Sequence, residues 1–147
     1  VYGCHGHYSA TKWALEGLSE ALAFEMAEFN VHVSVIEPGS VPTPAWEKGT
    51  PPPADTKYAN SLERLAAWAT HTMKNPASPL DVAEAVADAI ESDTPRFRYP
   101  VGQDAVENIN GRFSVSDEEW IAANRLQGEA FRQRWHEIIG VDYFGDD

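Results

Sequence analysis

Between Tyr8 and Phe29 the apolar residues Leu15, Leu18, Leu22, Met26 and Phe29 recur every three or four positions, the stripe of one long amphipathic helix. At about 100° per residue a narrower strip of Trp13, Gly17, Ala21 and Phe24 runs along roughly the opposite side. An ordinary surface helix needs one apolar side, so this one is expected to be covered on both. Asn30 leads directly into Val31-His32-Val33-Ser34-Val35-Ile36, β-branched and mostly apolar, with Pro38-Gly39 as a breaker behind it. This predicts a strand, and the polar His32 and Ser34 predict that one face of it is partly open. A long helix running at once into a strand is half of an α/β unit.

Prolines at 42, 44, 51, 52 and 53 exclude a regular helix or a central strand there and predict a surface loop. Leu62, Leu65, Ala66, Trp68, Ala69 and Met73 then predict a helix, so that 41–75 forms a loop or lid region. Ser78-Pro79-Leu80-Asp81 combines an N-cap, a first-turn proline and a first-turn acid ahead of Val82, Val86 and Ile90, which predicts another helix. Phe97 to Gly102 reads as a short strand that Pro100 confines to an edge or bends. From 103 to 147 the chain is expected to be a helical extension: Ser116-Asp117-Glu118-Glu119 matches a capping box, and Trp120, Phe131, Trp135, Ile138 and Ile139 belong to one last helix or a broken pair closing near Gly140.

The chain has 147 residues, enough for one domain with a core, and 43% of them are hydrophobic. Eleven Lys and Arg against 23 Asp and Glu leave a formal charge of -12, which argues against nucleic acid or an anionic membrane as partner. No apolar run approaches the roughly 20 residues needed to span a bilayer, and residues 1–15 lack the basic start and apolar core of a signal peptide. The single cysteine, Cys4, cannot form an internal disulfide; a reducing compartment, the cytoplasm, is expected, with Cys4 as a small buried or half-buried packing residue. His5 and His7 flank Gly6 without a third ligand at fitting spacing, so no metal site is expected.

The residues most suited to chemistry are Tyr8 and Lys12, whose four-residue spacing puts both side chains on one face of the first helix. An ammonium beside a phenol favours the phenolate, and such a pair can exchange a proton with an alcohol or carbonyl near neutral pH. Taken alone, the pair also fits an exposed helix surface. Its flanks add Ser9-Ala10 between its members, then Trp13 to Leu22, then Val33-Ser34-Val35-Ile36-Glu37-Pro38-Gly39, with Thr43 four positions beyond the glycine.

With these motifs in this order the chain resembles the short-chain dehydrogenase/reductase family from about Gly3 to about Gly102. The resemblance implies the C-terminal part of a doubly wound, parallel-sheet, Rossmann-like α/β fold, helix-rich and with two strands. It implies an oxidoreductase that moves hydride between NAD or NADP and a small alcohol or carbonyl substrate. Tyr8 would give or take the hydroxyl proton, and Lys12 would hold the nicotinamide ribose and tune Tyr8. Pro38 and Gly39 would form the turn at the cofactor, Val41 would present backbone groups to the carboxamide, and Thr43 would contact the carboxamide or pyrophosphate. The resemblance also implies a homo-oligomer paired through the helix bearing Trp13, Gly17, Ala21 and Phe24. Trp46, Tyr58, Trp68 and Trp135 are large enough to line an apolar substrate pocket or to anchor the loop to the core.

The departures are equally specific. Only seven residues precede Tyr8, so the family's glycine-rich cofactor turn and catalytic serine would fall ahead of Val1. Residues 1–147 are therefore expected to be a single partial domain that does not bind NAD(P)H by itself and exposes apolar surface. The alternative is a truncated, inactive chain or a helix-pairing interaction domain. A plain helical module with a chance Tyr-Lys pair requires the segment Val31 to Ile36 to be no strand.

Overall fold

The computed structural model describes residues 3–48 and 55–145. Six α-helices and two strands follow one another as α1 (Gly6–Ala27), β1 (Val35–Pro38), α2 (Ala59–Thr72), α3 (Pro79–Glu91), β2 (Arg98–Val101), α4 (Gln103–Phe113), α5 (Asp117–Ala123) and α6 (Gly128–Ile139). A 3₁₀ segment, Pro44–Lys48, lies in the proline-rich stretch expected to be a loop, of which residues 49–54 lie outside the described set. The strands are parallel, joined by a crossover that carries α2 and α3, and α3 packs against both strands. This is a helix-rich α/β arrangement of the Rossmann-like kind.

The strand signal was right in kind and displaced in position. β1 begins at Val35 rather than Val31 and runs through Pro38, in register from Val35 opposite Arg98 to Pro38 opposite Val101. Its limits follow from its partner: β2 is four residues long, and 31–34 find no ladder among the described residues. Val35 N–H donates to the Phe97 carbonyl at 2.7 Å and Gly39 N–H to the Val101 carbonyl at 2.9 Å, so the odd-numbered amides face β2. Pro38, which has no N–H, stands at an even position where none is required. By the same alternation the ring of Pro100 replaces an N–H on the outer side of β2, the edge position that its sequence indicated.

Both capping boxes form. Ser78 Oγ accepts from Asp81 N–H at 3.1 Å while Asp81 Oδ2 accepts from Ser78 N–H at 2.7 Å. Ser116 and Glu119 repeat the exchange at 3.2 and 3.0 Å. α6 ends at Gly140 in the left-handed conformation, φ 85°, which a residue without Cβ adopts without strain. The expected extension from 103 thus resolves into α4, α5 and α6.

The best-packed part of the chain is its C-terminal end. Trp120, Ala123, Phe131, Trp135, Ile138, Ile139 and Tyr143 form one buried cluster, with Trp68 of α2 packed against it. α1 is the opposite case: it has no buried residue, and Trp13 at 55%, Leu18 at 67% and Phe24 at 75% exposure leave both apolar strips uncovered among the described residues. A salt bridge at 3.2 Å from Arg98 Nε on β2 to Glu16 Oε2 ties α1 to the sheet.

Candidate active site

The first candidate segment is the opening two turns of α1. Cys4 takes a positive φ of 65° and His5 caps the helix without a side-chain hydrogen bond, so the chain turns sharply into the segment that carries Tyr8. Thr11 Oγ1 donates to the Tyr8 carbonyl at 2.7 Å, a local bond within the helix. The Lys12 ammonium lies 5.3 Å from the centre of the Tyr8 ring, and the His5 ring stands 5.9 Å from it on a tilted plane. Helical spacing thus brings the phenol and the ammonium together. Tyr8 is 60% exposed, so the pair is open to a ligand. Cys4 is exposed rather than buried or half-buried.

A second candidate segment is the C-terminal end of β1. Pro38 and Gly39 stand there beside Val101, as strand pairing requires. The Val41 carbonyl accepts from Trp46 Nε1 at 2.8 Å and the Thr43 carbonyl from Trp46 N–H at 3.2 Å, so the indole closes a turn over this segment. Val41 is half-buried and Thr43 exposed. In open α/β sheets, ligands bind beyond the carboxyl ends of the strands, which is where these residues lie.

Ser40 holds that segment. It is 2% exposed, and each of its polar groups is bonded: N–H to Asp104 Oδ2 at 2.7 Å, carbonyl from Ala77 N–H at 3.0 Å, and hydroxyl to Thr72 Oγ1 at 2.7 Å. Neither Ser40 nor Asp104 was among the residues singled out by sequence. Asp104 reads there as an ordinary acid in the first turn of a helix, and its partner is 64 residues away. The available signal was the dense sequence Pro-Val-Gly-Gln-Asp at the end of a strand, a second strand-end turn beside the first.

Glu37, just before Pro38, carries the clearest electrostatic perturbation near the site. Burial raises its pKa above the ordinary 4.5, the negative charge of Glu16 raises it further, and Arg98 partly opposes both. Its Oε2 is buried without a hydrogen-bond partner among the described residues.

Two of the aromatic side chains proposed for a pocket lie elsewhere. Trp135 is in the C-terminal core, stacked on Phe131 at 5.3 Å and tilted to Trp120 at 4.8 Å, and Trp68 packs on the same cluster. They anchor helices. Trp46 sits 6.3 Å from Trp68 and is partly exposed, as is Tyr58 at the start of α2. Among the described residues no three His, Cys, Asp or Glu side chains converge as metal ligands, and no helix is long and apolar enough to cross a membrane.

Known proteins are similar to most of this chain. The short chain dehydrogenase family matches residues 2–53, which include Tyr8, Lys12 and Pro38 to Thr43. An uncharacterized oxidoreductase of Schizosaccharomyces pombe is 32% identical over 120 residues, covering 82% of this chain and 51% of that protein. The 17-beta-hydroxysteroid dehydrogenase type 1 of Mus musculus is 30% identical over 155 residues, covering 93% of this chain and 44% of that protein. The chain belongs to the short-chain dehydrogenase/reductase family, a family of oxidoreductases. It spans about half the length of the curated relatives that it matches.

Proposed function

We propose that this chain supplies the proton-transfer half of an NAD(P)-dependent oxidoreductase acting on an alcohol or carbonyl compound. The observation that carries this reading is the exposed Tyr8 phenol with the Lys12 ammonium 5.3 Å from its ring, on the opening turns of α1. The donor set suits a nicotinamide nucleoside: an ammonium for ribose hydroxyls, and at the end of β1 a turn with backbone groups and the Thr43 hydroxyl for a carboxamide. When bound, the nicotinamide supplies the hydride chemistry. Tyr8 gives its hydroxyl proton to the oxygen of a carbonyl being reduced, or takes the proton of an alcohol being oxidised. Lys12 orients the ribose. Segment 41–75 lies on the substrate side and 103–147 serves as the scaffold, with the cytoplasm as the setting.

The test uses the product of the complete reading frame. Tyr8→Phe removes only the hydroxyl and is expected to lower kcat by about 10²–10⁴-fold, with melting temperature nearly unchanged. Full turnover by the Phe variant would refute the assignment. A second reading, a chain that pairs through α1 without turnover, draws support from the exposed strip of Trp13 and Phe24.

A further inference from the structure

We infer that Asp104 is a positioning residue for the segment Pro38 to Thr43, its carboxylate holding Ser40 so that Val41 and Thr43 present their groups to the nicotinamide. The inference rests on the function proposed above. Aspartate is rarely buried without full pairing, yet Asp104 is 8% exposed. Only Oδ2 has a hydrogen bond, the 2.7 Å contact from Ser40 N–H, while Oδ1 is buried with no partner among the described residues. A carboxylate with one oxygen unsatisfied is a costly occupant of an interior, and such exceptions call for a reason. Its site in the first turn of α4 favours negative charge, but an exposed acid there would gain the same benefit.

The reason lies in what the other oxygen holds. At Ser40 the end of β1, the end of α2, the segment before α3 and the start of α4 are joined by hydrogen bonds. The contact to Asp104 is the charge-assisted member of that set and therefore the strongest. It fixes the Gly39–Ser40 peptide plane, next to the Ser40–Val41 plane whose carbonyl accepts from Ala77 N–H. A backbone group that must meet a ligand amide has to be held within fractions of an ångström, and supporting hydrogen bonds provide this. Asp104 also reaches Ser40 from the far end of β2, so the pairing of the two strands sets the position of the loop.

The test compares the complete reading-frame product with its Asp104→Ala and Asp104→Asn variants. Without cofactor, hydrogen–deuterium exchange at the Ser40 amide is expected to quicken about tenfold or more in Asp104→Ala, while the Trp135 and Ile138 amides keep their rates. With NADH or NADPH as probe, the cofactor KM is expected to rise about tenfold with kcat changed less than about threefold. Asparagine can still accept the Ser40 N–H, so Asp104→Asn recovers most of both properties. Unchanged Ser40 exchange in Asp104→Ala overturns the inference, as does faster Ser40 exchange with an unaltered cofactor KM. Lost protection at Trp135 and Ile138 as well overturns it in favour of a general folding role. If Ser40 exchange responds to Asp104 but the unaltered protein neither binds nor turns over cofactor, the proposed function itself fails, and the two failures are thereby distinguished.

Discussion

The Asp104 carboxylate fills the space in which a side chain at position 39 would begin. A Cβ on Gly39 would lie 2.5 Å from Asp104 Cγ and 2.6 Å from Oδ2, closer than atoms can approach. Gly39 is not among the glycines with positive φ, so its neighbour and not its backbone conformation demands the missing side chain. Gly39→Ala is expected to lower stability by about 2–3 kcal/mol through overpacking. In an Asp104→Ala background the clashing atoms are gone, and the same substitution should cost less than about 1 kcal/mol in a double-mutant cycle. Additive costs in denaturant unfolding would show that the two residues do not compete.

Glu37 predicts a pH dependence. Its folded pKa is raised by burial and by Glu16, so the folded state holds the proton more tightly than the unfolded chain. Its contribution is therefore favourable below the ordinary value of 4.5 and is lost as pH rises through the raised folded value. Glu37→Gln should raise the melting temperature at pH 7, and the gain should shrink as pH falls toward 4.5. An equal gain at both pH values would mean that the charge is not responsible.

Gly17 offers a probe of pairing through α1. It is exposed, with open space around its Cα, between Trp13 and Phe24 on the uncovered strip. A glutamate there would place a charge in any helix pair that buries the strip. Gly17→Glu is expected to convert a dimer to a monomer in light scattering, whereas an unchanged mass would assign the strip to another covering.

Trp135 should behave as a core residue. Its burial among Trp120, Phe131 and the ends of α6 predicts a loss of about 3–5 kcal/mol for Trp135→Ala. Substrate preference should be unaffected at temperatures where the variant is folded. A change of preference at unchanged stability would return this ring to the substrate pocket.

Residues 1–147 alone are expected not to bind NADPH, since their sequence contains no glycine-rich turn opening a helix to cradle a pyrophosphate. Titration followed by fluorescence or calorimetry checks this. Saturable binding at micromolar concentration would show that the strand-end segment and Lys12 suffice.

What could be read along the chain was whatever short-range chemistry decides. Tyr8 and Lys12 meet because a helix brings positions four apart together, and Ser78 and Ser116 start helices because their hydroxyls reach amides three residues on. Gly140 ends α6 for an equally local reason. α4 was not resolved as a separate helix, because its Asn108, Asn110 and Gly111 blur the apolar period.

The sequence by itself determined α1, α2 and α3, the capped start of α5, the order of α1 and β1, and the family to which the chain belongs, since these rest on spacing and caps within a few residues. Only the tertiary structure decided where β1 starts, that Trp68 and Trp135 turn into the C-terminal core, and that Asp104 holds Ser40 against Gly39. Strand limits depend on a partner strand far along the chain, and a buried carboxylate depends on which amide faces it, so neither is encoded in the pattern of its immediate neighbours.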